Sequence, residues 1–227
     1  MSLRRNVAAV SAAAALALTG LAVATPAQAT KSSLGKSSAA ATKTLGQTSL
    51  AAVLTAGGVG FDKNSKDYDI LTAAVLAVLK AKPTSAVKVL TDGSVALTAF
   101  IPNDRAFRLL VKSLTGKTIK SEAKVFAAVA GLGIPTVEAV LLYHVVPGAT
   151  ITAKQALKAN GATLTTAQGG TIRVRVYRAP AISLWDKDRN SRNPRVILAQ
   201  TDINKGNKQI AHGIDRVLRP VDLPPTA

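Results

Sequence analysis

Only two side chains in this sequence carry an imidazole, His144 and His212. An imidazole beside a hydroxyl and a carboxylate is the arrangement of nucleophilic ester or peptide cleavage. With Asp202 or Asp215 as the orienting carboxylate and a serine or threonine as nucleophile, such a triad would have to be assembled in three dimensions. The chain has no cysteine, no Gly-x-Ser-x-Gly elbow and no His-Glu-x-x-His helix. Two histidines and an aspartate also approach a metal-ligand set, but their spacing is neither tetrahedral nor facial, so no metal and no cofactor are expected. His144 follows Leu141 and Val137 on the apolar stripe of a helix, which gives a core imidazole held by one or two hydrogen bonds. A structural role is expected for His212 as well.

Two further groups carry chemistry. Asp186-x-Asp188-x-Asn190 imitates the opening of a calcium loop, but Ser191 stands where the turn glycine belongs and Ile197 where the bidentate glutamate should be. Lys187, Arg189 and Arg192 would repel a cation there, so Asp186 to Asn193 is expected to be a solvated hairpin tip. Ile172, Val174 and Val176 alternate with Arg173, Arg175 and Tyr177, which sends two guanidiniums and a phenol to one face of a strand, with Arg178 at its end. Guanidinium forks match carboxylate and sulfate groups, and a tyrosine ring matches the face of a sugar. The plainer account of the same residues is protection of an exposed strand against edge pairing.

The elements that must position these residues divide along the chain. Helices are expected over about Leu50 to Ala56 and Tyr68 to Lys80, where Leu71, Val75 and Val78 share a face. A buried strand over Val95 to Ile101 stops at Pro102-Asn103. Asn103 then caps a helix carrying Phe107, Leu110, Val111 and Leu114, which Gly116 ends. Helices over Ser121 to Leu132, burying Val125, Phe126 and Val129, and over Thr136 to Val145, burying Val137, Val140 and Leu141, complete the first half. After Pro147-Gly148 the period changes to strand alternation, with strands expected at Ile172 to Val176, Ala181 to Trp185, Arg195 to Ile203 and Gln209 to Leu218.

The ends and the charge bear on location. Two arginines, an apolar run from Val7 to Ala24 and the small-residue pattern Ala27-Gln28-Ala29 lay out a secretory signal peptide over 1–29. Residues 30–48, rich in Ser, Thr, Ala and Lys, are expected to be a flexible basic linker, 49–221 a folded domain and 222–227 a short tail. Gly35-Lys36-Ser37 fails as a phosphate loop because Thr30 occupies the position of its first glycine. Leu223-Pro224-Pro225-Thr226-Ala227 departs from a wall-sorting signal, with alanine for glycine and no apolar tail. The formal charge of +17 falls by two when Arg4 and Arg5 leave with the leader, and the excess attracts polyanions without specifying one. Export without cysteine means that a packed core, not disulfides, must hold the fold. No membrane span is expected in the mature chain.

Three segments in register point to a family: Leu97-Thr98-Ala99-Phe100-Ile101-Pro102-Asn103-Asp104-Arg105-Ala106-Phe107, then Leu141-Leu142-Tyr143-His144-Val145-Val146-Pro147-Gly148, then Ile210-Ala211-His212-Gly213-Ile214-Asp215-Arg216-Val217-Leu218. They resemble the two sequence boxes and the central Tyr-His element of fasciclin domains. The resemblance covers about Leu50 to Pro220 and departs from the usual pattern at Ile101, where an alanine commonly precedes the proline. It implies an α/β (α+β) fold, a wedge-shaped β-sandwich or partial barrel with N-terminal helices packed over it. It also implies structural roles for Asn103, Asp104, His212 and Asp215.

Tyr143 and His144 are described in that family as mainly structural, with a link to adhesion. They join Arg173, Arg175, Tyr177 and Arg178 as candidate binding residues. The expected function is that of a secreted, non-enzymatic adhesion module for an extracellular protein or an anionic polysaccharide of the cell envelope. The rival expectations are a hydrolase of polysaccharide esters and a carrier of an apolar small molecule. No specific nucleic-acid binding is expected, because the chain lacks an aromatic-rich RNA-binding sheet motif and a recognition helix.

Overall fold

The computed structural model describes residues 44–178 and 180–222. The expected signal peptide, all but the end of the expected linker, and 223–227 of the expected tail lie outside these residues.

Local signals set the helices. Helix α1 (Leu50–Ala56) begins where the Ser49 hydroxyl accepts from the Ala52 N–H. Helix α2 (Asp69–Ala81) buries Ile70, Leu71, Ala74, Val75 and Val78, so its apolar stripe is wide. Asn103 Oδ1 accepts the Ala106 N–H at 3.0 Å and starts α3 (Asp104–Thr115), and Gly116 ends it at φ 69°, a left-handed conformation that favours glycine. Ser121 caps α4 (Glu122–Ala130). Gly133, at φ 85°, turns the chain into α5 (Ile134–Tyr143), where Pro135 fits the first turn.

Strand β1 (Leu97–Pro102) is the centre of the first sheet. It pairs antiparallel with β2 (Val145–Pro147) and parallel with β6 (Gln209–Ile214). Every residue of β1 and β6 is buried. Leu97, Ala99 and Ile101 face a core built with α2 to α5, while Phe100 belongs to a second core with Tyr143, Val146, Ile172, Val174, Ile182, Leu184, Ile214 and Leu218. That second core is closed by an antiparallel sheet of β3 (Thr163–Thr165), β4 (Thr171–Tyr177) and β5 (Ala181–Trp185). Helices, first sheet and second sheet thus form successive layers, and among the described residues neither sheet closes into a barrel.

A buried glutamine clasps this arrangement. Gln209 Oε1 accepts the Leu50 N–H at 2.8 Å, and its Nε2 donates to the carbonyls of Val89 at 2.8 Å and Asp92 at 2.7 Å. One side chain at the start of β6 therefore satisfies the first backbone donor of α1 and two carbonyls at a short 3-10 helix, Ala86–Thr91.

Several expected elements have different extents. Helix α5 stops at Tyr143, and Val145 leaves it to pair with Ala99. Phe126 and Val140 are half-buried rather than buried, Phe126 lying against Phe61 with ring centres 5.5 Å apart. The stretch Arg195 to Ile203 is no continuous strand: it makes single bridges at Arg195, Val196 and Ile203, interrupted by a 3-10 turn at Leu198–Gln200. Strand β6 ends at Ile214. The expected solvated tip at Asp186 to Asn193 is instead pinned, because Asp188 is buried against Arg219 at 2.7 Å and Asp186 accepts the Arg219 N–H at 2.8 Å. The carboxylates that imitate a calcium loop are occupied by that arginine. Helix α6 (Ala153–Ala156), with its Thr152 and Gln155 capping box, lies between β2 and β3.

Candidate functional site: a basic and aromatic sheet face

Both imidazoles are committed to backbone. His144, at the end of α5, meets the Val140 carbonyl with Nδ1 at 2.7 Å and accepts the Leu218 N–H on Nε2 at 2.9 Å. The accepting Nε2 fixes the neutral tautomer with its proton on Nδ1. Burial pulls its pKa down to about 4. His212 accepts the Asp202 N–H on Nδ1 at 3.2 Å and meets the Ile151 carbonyl with Nε2 at 2.8 Å. Burial lowers its pKa too. Neither ring has a nitrogen left for a hydroxyl. The carboxylates proposed as orienters point elsewhere: Asp202 accepts from the Ala153 N–H and Lys205, and Asp215 from the Arg195 N–H at 2.7 Å.

Tyr143 lies in the interior beside His144. Its hydroxyl donates to the Thr171 carbonyl at 2.7 Å, and its ring rests on Gly170, where an added Cβ would stand 2.8 Å from a ring carbon. A partner docking on the surface reaches neither Tyr143 nor His144. Asn103 is the cap of α3, and Asp104 is fully buried, accepting the Ile70 N–H at 3.0 Å. Burial and the neighbouring Asp67 and Glu122 carboxylates raise the Asp104 pKa.

The remaining candidates come together. On β4, Ile172 and Val174 are buried while Arg173 and Tyr177 are exposed and Arg175 is half-buried, so the alternation sends the basic residues outward. Arg178 is exposed just beyond. Register adds two residues that sequence reading passed over. Trp185 of β5 lies opposite Arg173, and Ser183 lies opposite both Arg175 and Arg195, which puts all of these on one face. The Arg175 guanidinium lies 4.6 Å from the centre of the Trp185 ring, and its Nε has no acceptor. Tyr177 is 49% and Trp185 38% exposed, so both rings offer surface. Among the described residues none of Arg173, Arg175, Arg178 and Arg195 has a carboxylate within ion-pair distance.

The apolar voids between α2, α3 and α5 and between the two sheets measure about 30 Å³ and about 20 Å³, the size of a water rather than of an apolar cargo.

The sequence matches the fasciclin domain over residues 71–220, which takes in α3, the Tyr143-His144 element, the basic strand and β6. The chain belongs to the fasciclin family. No curated protein matches it. Among solved structures it is similar to a FAS1 domain pair from the insect cell adhesion molecule Fasciclin I, with a TM-score of 0.51 and 18% identity over 77% of this chain and 51% of the other. This fasciclin chain thus spans about half the length of that pair, and at such identity the likeness concerns the fold. Fasciclin domains are known as adhesion modules and occur in extracellular or cell-surface proteins. Among the described residues no single helix is long and apolar enough to cross a membrane.

Proposed function

We propose that this fasciclin protein is a secreted, non-catalytic adhesion module that recognises an anionic polysaccharide through the outer face of β4 and β5. The observation that carries the reading is the row of guanidiniums at Arg173, Arg175, Arg178 and Arg195 without carboxylate partners, interleaved with the half-exposed rings of Tyr177 and Trp185. Guanidiniums supply charge-assisted forks for uronate or sulfate groups, and the rings supply flat apolar surface for sugar C–H faces. The register brings these side chains to one face, with the Arg175 guanidinium beside the Trp185 indole. In this reading residues 1–29 are the export signal and the basic stretch 30–48 tethers the domain, adding non-specific attraction to the same polymers.

The reading is tested with acidic and neutral polysaccharides titrated against the full chain and against Arg173→Ala/Arg175→Ala over a salt series. Saturable binding to an acidic polymer that weakens about tenfold or more in the double variant supports it, since a hydrogen bond to a charged group contributes roughly 1.5–3 kcal/mol. Binding that the double variant leaves unchanged and that salt erases uniformly would reduce the interaction to net charge. Ester cleavage of the bound polymer by the wild-type chain, lost in His212→Gln, would overturn the non-catalytic part.

A further inference from the structure

We propose that Asp67, Asp69, Asp104 and Glu122 form a binding site for one divalent cation, calcium by the chemistry of its donors. The site is separate from the basic sheet face and stands or falls without it. The chain has 12 acidic residues against 29 basic ones, yet five of the acids, counting Asp62, meet where the loop before α2 crosses the starts of α3 and α4. Carboxylate oxygens of Asp69, Asp104 and Glu122 lie within 4.8 Å of one another, as do those of Asp62, Asp67 and Asp69. Asp69, Asp104 and Glu122 are buried, and burying mutually repelling carboxylates is costly unless a cation or protons offset them.

The protein's own groups offset only part of this. Arg108 donates to Glu122 Oε1 at 2.7 Å, and the Asp62 N–H donates to Glu122 Oε2 at 2.8 Å, which folds the loop over the cluster. Lys63, Lys66 and Lys120 are exposed. A second observation points to a ligand. Asp104 is 0% exposed and its Oδ1 takes the Ile70 N–H, but its Oδ2 has no donor, and the buried Oδ1 of the neighbouring Asp67 has none either. Unsatisfied buried acceptors in a native fold call for a partner, and two of them side by side are matched by a cation between them.

The donor set is oxygen only, which selects hard cations. Magnesium usually keeps several waters and is seldom held by an all-protein cage, whereas calcium takes about six to eight oxygens in flexible geometry, so a buried carboxylate cluster selects calcium. Glu122 also lines an open cleft of about 670 Å³, bordered by Phe61, Asp62, Lys63, Arg108 and Lys120.

The test strips the full chain with EDTA, then titrates calcium by calorimetry and follows thermal unfolding. Terbium luminescence excited through Tyr68, whose hydroxyl is buried beside Asp67, reads the same site. The expected result is one ion per chain and a Tm about 5 °C higher at calcium concentrations far above Kd. Asp104→Asn should abolish the shift. Asp67→Asn, at the half-buried rim, should weaken binding about tenfold or more while the variant remains folded in EDTA, so the decision does not depend on the buried variant. Absence of heat, Tm shift and sensitised terbium emission at about 10 mM ion, beyond the weakest range of calcium modules, would overturn the proposal and assign the Asp67–Asp104 contact to a shared proton. Binding that Asp67→Asn and Asp104→Asn both leave intact would overturn it equally.

Discussion

His144 gives both ring nitrogens to the backbone, and that choice makes the fold sensitive to acid. A ring with an ordinary pKa of 6.5 falls to about 4 here because burial disfavours its charged form. The unfolded chain takes up a proton below about pH 6.5 while the folded chain does not until about pH 4, so this residue's contribution is full above 6.5 and is lost as pH falls through that window. The shift corresponds to about 3 kcal/mol between the two limits. Asp186, raised to about 6 by burial, has the opposite sign, losing stability as pH rises towards and through 6. The contribution of His144 is therefore best isolated by difference. Unfolding free energies of wild type and His144→Gln should diverge at pH 7 and converge towards pH 4, and the His144 proton resonances should stay fixed above about pH 5. A ring titrating near 6.5 would contradict its buried hydrogen bonds. The same commitment explains why the family's Tyr-His element reads as scaffold: Tyr143 and His144 tie α5 to β4 and to Leu218.

Elements with local signals are legible in the sequence. Ser49, Asn103 and Gly116 mark helix ends through side-chain and φ preferences that act within three or four residues, and the corresponding helices lie where expected. Asn103→Ala should cost about 1 kcal/mol, the usual loss for an N-cap, seen as a Tm lower by roughly 2–4 °C with the fold retained. Elements defined by distant partners are not legible in this way. Strand β2 has three residues and exists because β1 accepts it, and β3 likewise depends on β4. The stretch 195–203 has strand-like residues but finds only isolated bridges, so composition misleads there. The candidate face divides in the same way. Alternation on β4 points Arg173, Arg175 and Tyr177 outward, whereas Trp185 and Arg195 join them only through register, which no local pattern encodes. The acidic cluster escapes a reading of the sequence because its members are spread from residue 62 to 122 and meet only when three elements cross.

In the molecule as a whole, stability is graded from the central sheet outward. Strands β1 and β6 are buried at every residue between two cores, while β3 has exposed residues at both ends. Amide hydrogen exchange should therefore be slowest in β1 and β6, approaching the global unfolding free energy, and faster by orders of magnitude in β3. Comparable protection in β3 and β1 would contradict this grading. The central pair is also the least local feature of the fold: β1 and β6 run parallel, and the Gln209 side chain closes on Leu50 across 159 residues. Order of synthesis gives that clasp a further meaning. A chain made from its N-terminus has α1, the 3-10 helix at 86–91 and β1 long before residue 209 exists, and until then the Leu50 N–H and the carbonyls of Val89 and Asp92 lack their partner. The native central sheet and its clasp therefore need residues 209–214, and neither can be completed before they are made.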